Sequence, residues 1–138
     1  MSLYFVDSNI VMYALGKNHE YKESCVQILK LLGDEKIAAA SSTEVLQEIL
    51  YRYFMIGKAK EGLEIAKDFD LTLTEMLPAT REDLEKAFKL FGKYLNLPPR
   101  DSLHATVMIN NGLKKIITVD KHFEQIKEIE KVDPRTIV

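Results

Sequence analysis

Short apolar runs recur along the chain at intervals that leave room for a helix between neighbours. Leu3–Val6, Lys36–Ala40, Leu71–Leu77 and Lys115–Val119 read as strands, with Ile129–Val132 as a short edge strand. Between them apolar residues fall at helical spacing. A short helix starts at Ser8, an amphipathic one covers Tyr21–Leu32 and stops at Gly33, and a third runs from Thr43 to Ile56 and ends at Gly57. Lys60–Phe69 carries Leu63, Ala66 and Phe69 at the same spacing. Ser42 or Thr43 suits an N-cap, and Thr80 with Asp83 three residues on reads as a capping box before a helix reaching about Leu95. Asp101–Asn111 reads as the last helix and ends at Gly112. Parallel strands need long crossovers, usually helical, so this alternation specifies α/β units on a parallel sheet. The expectation is one domain over residues 1–138, with a central sheet of four to five strands.

The acids sit where such a fold would gather them. Asp7 closes Tyr4-Phe5-Val6, and Asp120 closes Ile116-Ile117-Thr118-Val119. Asp101 opens a helix after Pro98-Pro99-Arg100, and Glu48 lies on the helix that follows Ile37-Ala38-Ala39-Ala40. Open α/β sheets bind ligands beyond the carboxyl ends of their strands. Carboxylates crowded there repel one another, which makes the cluster a natural place for a hard divalent cation.

Each acid also has an ordinary structural reading. Asp7, Asp101 and Asp120 suit helix or turn caps, and Glu48 suits an i,i+4 pair with Arg52 worth about 0.3–0.5 kcal/mol. Their joint placement at one sheet edge is what favours a site. Nearby, Asn9 is placed to orient a carboxylate or a bound water, and Thr118 shares a strand face with Asp120. His104, one turn past Asp101, reads as a half-buried hydrogen-bonded histidine, and Glu44 as a solvated first-turn acid. His19 and His122 make no recognised metal spacing.

Composition narrows the function classes. With 46% hydrophobic and 29% charged residues the chain is globular. A net charge of −2 excludes a generally basic nucleic-acid coat, so any such contact has to be local. The single cysteine, Cys25, excludes an internal disulfide and a multi-cysteine zinc site. No run approaches the roughly 18 apolar residues of a membrane span, so the expectation is a cytoplasmic protein with no membrane association.

Four segments carry a resemblance that spans nearly the whole chain. They are Phe5-Val6-Asp7-Ser8-Asn9, Ser41 to Leu50, Asp101-Ser102-Leu103-His104-Ala105, and Ile117-Thr118-Val119-Asp120-Lys121-His122-Phe123. In this order and spacing the chain resembles the PIN-domain nucleases, and among them the small single-domain VapC-like toxins of toxin–antitoxin pairs. The resemblance implies a three-layer α/β/α domain and a metal-dependent endoribonuclease acting on RNA with Mg²⁺ or Mn²⁺. It places Asp7, Glu48, Asp101 and Asp120 at the family's acidic, metal-binding positions. Ser8 stands where many relatives carry Thr, and the hydroxyl is retained. Arg100, Lys121, Lys17 and Arg52 are options for holding a nucleic-acid backbone. A homodimer and an antitoxin segment lying along the groove to the acids are the implied partners.

Two other readings compete. A non-catalytic PIN-like domain that binds RNA or protein would keep the fold without needing all four acids. A phosphohydrolase with an aspartyl nucleophile commonly pairs it with an acid two residues on, where this chain has Asn9. The helix from Thr43 to Ile56 is apolar almost all round, beyond the single stripe of a surface helix. Exposing Leu46, Leu50, Tyr53 and Phe54 together would create an apolar patch of roughly several hundred Å², for which a two-fold homodimer is the simplest cover.

Overall fold

Burial on both faces is what makes the central strands nearly continuous in apolar side chains. In the computed structural model, which describes residues 3–137, Phe5, Val6, Ile116 and Ile117 are wholly buried. The element order is β1 (Leu3–Val6), α1 (Ser8–Leu15), α2 (Lys22–Gly33), β2 (Ala38–Ser42), α3 (Thr43–Met55), α4 (Ala59–Thr72), β3 (Glu75–Leu77), α5 (Arg81–Lys93), α6 (Pro99–Asn110), β4 (Lys115–Ile117) and β5 (Glu130–Val132). Short 3₁₀ turns follow β4 and β5, over Lys121–Gln125 and Pro134–Thr136.

The five strands are parallel in the order β3-β2-β1-β4-β5. From central β1 the chain steps outward to β2 and β3, then crosses back to β4 and β5 on the other side. Right-handed crossovers in opposite directions put α1–α4 on one face and α5–α6 on the other. Within these layers α1 packs on α2, α3 on α4, and α5 on α6. The result is a three-layer α/β/α domain, with β1 and β4 adjacent at the point where the strand order reverses.

Local chemistry fixes the joints. Ser42 caps α3 by accepting the Val45 amide, and Thr80 and Asp83 form a reciprocal capping box on α5. The Asp83 carboxylate is buried and also accepts Asn110, tying α5 to α6. Gly57 and Gly112 follow α3 and α6 with φ of +76° and +74°, conformations that favour glycine.

Several boundaries differ from the sequence reading. β2 begins at Ala38 and runs through Ser42, because the Ser41 hydroxyl is satisfied by donating to the Val6 carbonyl at 2.9 Å. Leu71 and Thr72 complete the last turn of α4, leaving only Glu75–Leu77 to pair with β2. β4 ends at Ile117, and the helix read as starting at Asp101 starts at Pro99, a residue suited to a first turn. The apolar patch expected on α3 is also different. Tyr53 is buried, and Leu46 and Leu50 are partly buried, whereas Phe54, Met55 and Ile56 are more than 60% exposed.

Candidate active site

Asp7 is the first residue beyond β1 and does cap α1, accepting the Ser8 amide on Oδ1 at 2.7 Å. Its other oxygen accepts the Thr118 hydroxyl at 2.8 Å and the Asn9 amide nitrogen at 3.2 Å. Thr118 in turn accepts from Asn9 and from the Asp120 backbone N–H. The hydroxyl expected beside Asp120 is thus spent on Asp7 and on the backbone of the loop that carries Asp120. Burial holds the Asp7 carboxyl above the usual range, with neighbouring Glu48 adding to it and His104 and Thr118 opposing.

Glu48 is held from both sides. Its Oε1 lies 3.0 Å from His104 Nε2, and its Oε2 accepts Arg52 at 3.1 Å, the i,i+4 pair read from the sequence. Arg100 approaches the same oxygen at 3.8 Å and Glu44 at 3.7 Å. Burial acts to raise Glu48, but the hydrogen bond and charge of His104, with Arg52, bring it down to about 2. His104 is fully rather than half buried. Burial opposes its protonation, yet the Glu48 hydrogen bond and the charges of Asp7, Glu48 and Asp101 outweigh that and raise it.

Asp101 lies in the first turn of α6 but is not its cap, since that position falls to Pro98. It has been left to face the other acids. Burial first, then the charges of Asp7 and Asp120, push it up to about 6, against opposing contributions from His104 and His122. Asp120 caps the 3₁₀ turn by accepting the His122 amide at 2.9 Å.

Asp7, Glu48, Asp101 and Asp120 line one cleft of about 290 Å³ at the β1/β4 reversal, with Arg52, Arg100 and His122. They form two groups, not one shell: Asp7, Glu48 and His104 converge to within 4.8 Å, as do Asp101, Asp120 and His122. His122, which makes no recognised metal spacing in the sequence, joins the second group: its Nδ1 lies 2.8 Å from Asp120 Oδ1 and 3.4 Å from Asp101 Oδ2. Its position two residues after Asp120, on a turn that folds back, was the available signal. The donor set is oxygen-rich, and two of its carboxylates are held above their ordinary range by burial and mutual repulsion. That chemistry fits a hard divalent cation.

The PIN domain family model matches residues 4–129. Ribonuclease VapC13 of Mycobacterium tuberculosis is 35% identical over 130 residues, covering 92% of this chain and 97% of the relative. The crystal structure of Mycobacterium tuberculosis VapC20, a sarcin-ricin loop cleaving toxin, superposes with a TM-score of 0.74 at 16% identity, over 94% of this chain and 98% of that one. A toxin–antitoxin complex from Klebsiella pneumoniae gives 0.67 at 17% identity, over 95% and 97%. Among the described residues no helix is long and apolar enough to cross a membrane. The chain belongs to the PIN-domain family, within its VapC-type ribonucleases.

Proposed function

We propose that this chain is the toxin endoribonuclease of a toxin–antitoxin pair, hydrolysing RNA phosphodiester bonds in a metal-dependent reaction at the acidic cleft. The observation that carries the reading is the convergence of Asp7, Glu48, Asp101 and Asp120 on one cleft at the strand-order reversal. VapC13 supplies the ribonuclease activity by family, and VapC20 and the Klebsiella complex supply the toxin and antitoxin roles.

Asp7 and Asp101 are the residues to hold Mg²⁺ or Mn²⁺, with Glu48 and Asp120 completing the oxygen set. Such an ion, when bound, polarises the scissile phosphate and lowers the pKa of the attacking water. The chain's own groups hold the carboxylates ready. Asn9 and Thr118 fix the Asp7 rotamer, and His104 and Arg52 fix Glu48. Arg100, exposed at the rim, is the group to receive a phosphate oxygen, with no covalent nucleophile required. An antitoxin segment along the groove, with a basic side chain among the acids, would compete with metal and substrate together.

The test is incubation of the pure protein with structured RNAs in Mg²⁺, Mn²⁺ or EDTA, beside Asp7→Asn. Cleavage with metal, none with EDTA and none by Asp7→Asn is expected. RNA cut equally by the variant would place the chemistry elsewhere. Binding without cutting under every condition would leave the non-catalytic reading.

A further inference from the structure

A larger cavity of about 810 Å³ opens beside the acidic cleft and shares Asn9, Arg52 and Asp120 with it. Two rings line it, Tyr13 at the end of α1 and His19 in the loop that follows, with centroids 4.6 Å apart and planes within 29° of parallel. The pair is braced from behind. His19 Nδ1 accepts the Tyr21 amide at 3.2 Å, and the Tyr21 ring carries the Arg135 guanidinium 4.4 Å from its centroid. Arg135 also donates to the Tyr21 hydroxyl at 3.0 Å. Rings held in this way need little ordering when a ligand arrives.

Lys17, Arg52 and Lys121 line the same cavity. Arg52 is engaged with Glu48, but Lys17 and Lys121 are exposed and form no ion pair among the described residues. A chain of net charge −2 with a carboxylate cleft would repel a polyanion unless cations stood beside the acids. Cations next to a fixed aromatic pair are the combination that holds single-stranded nucleic acid, the bases stacking and the backbone phosphates pairing with the lysines. An acidic peptide would use the lysines but has no need of the rings.

We propose that this cavity is a subsite for one unpaired nucleotide beside the scissile phosphate, its base on the exposed His19 ring that Tyr13 backs and its backbone on Lys17 and Lys121. The assignment rests on the ribonuclease reading of the cleft and adds a selectivity to it. A base inside a duplex already has both faces stacked, so the strand has to be open at this position.

The full-length chain in EDTA is titrated into a short single-stranded oligoribonucleotide carrying 2-aminopurine, whose fluorescence falls on stacking, and into the same strand annealed to its complement. Quenching is expected for the single strand alone. His19→Ala should remove the quenching and weaken binding about tenfold, while Tyr13→Phe, which keeps the ring, retains both. His19 is exposed, so its loss leaves the fold intact. Lys17→Ala and Lys121→Ala should each lower the slope of log affinity against log salt by about 0.7. Equal quenching by wild type and His19→Ala, or equal binding of duplex and single strand, overturns the subsite. Cleavage of a longer RNA with Mn²⁺, scored on the same preparations, separates the two ideas. A protein that cuts RNA without quenching 2-aminopurine keeps the ribonuclease reading and loses the subsite. One that quenches in a His19-dependent way without cutting keeps the subsite and loses the other.

Discussion

At Asp101 burial and the charges of Asp7 and Asp120 act together, holding the carboxyl at about 6 where 3.8 is ordinary. A raised carboxyl contributes its stability fully below pH 3.8 and loses it as pH rises through about 6. Above that, ionised Asp101 destabilises the metal-free fold on the order of 2–3 kcal/mol. Asp101→Asn should therefore melt at nearly the wild-type temperature at pH 4 and several degrees higher at pH 7, both in EDTA. With Mn²⁺ at roughly a thousandfold excess over its dissociation constant the wild type should gain ~4.1 kcal/mol and the variant much less, reversing the order. Thermal melts at two pH values, with and without the ion, read all four numbers; an unchanged order with Mn²⁺ would move the ion away from Asp101. Glu48 and His104 make a second, separable case. Removing one partner of a buried charged pair costs about 3–5 kcal/mol, so His104→Ala should lower the melting temperature sharply. Among the described residues His104 Nδ1 has no hydrogen-bond partner, so His104→Gln, whose amide can still donate to Glu48, keeps the one bond and should cost less than alanine. Denaturant melts showing Gln as damaging as Ala would mean that ring packing, not the bond, is what matters.

Among the elements, α3 and α4 approach closely at Gly62, where an added Cβ would lie 2.4 Å from Tyr53 Cβ. Helix propensity alone favours alanine over glycine by about 1 kcal/mol. Here backbone-near atoms block it, and overpacking of about 1–3 kcal/mol decides the sign, so Gly62→Ala should destabilise. Among the described residues nothing lies within 4 Å of a Cβ added at Gly92 in α5, and Gly92→Ala should stabilise by roughly 0.5–1 kcal/mol. Urea midpoints of the two variants moving the same way would contradict this account. The same contact explains why Tyr53 is buried and not part of an exposed patch. Sequence periodicity marks α3 as apolar on several sides but does not say which neighbour covers them, and the small residue that admits Tyr53 lies in another helix. The helices and strand cores were legible because the period and caps are local: Ser42, Thr80 and Asp83 behave as their spacing implies. Strand ends were less so, since Ser41 enters β2 through a hydrogen bond to β1 and Leu71 stays helical despite its alternating neighbours.

For the whole molecule, the strand order explains how four acids distant in sequence reach one cleft: β1 and β4 are neighbours, and their carboxyl ends open where the crossovers diverge. That gathering was legible from two strand ends, one helix start and the helix after β2, whereas the split into two trios was not, because it depends on the turn that brings His122 back to Asp101 and Asp120. The remaining unbalanced feature is on the surface. Phe54, Met55 and Ile56 close α3, each more than 60% exposed, and Phe88 on α5 is 65% exposed. Three consecutive exposed apolar side chains are unfavourable on a monomer and suit a self-complementary contact about a two-fold axis. Light scattering at micromolar concentration should give about twice the 15.8 kDa chain mass, with a melting temperature that rises with protein concentration, as mass action requires of a folded dimer. Phe54→Asp combined with Ile56→Asp should yield the monomer and abolish that concentration dependence, leaving the acidic cleft unaltered. A wild-type chain that scatters as 15.8 kDa, melting at one temperature across a hundredfold range of concentration, would assign the patch to something other than a second copy.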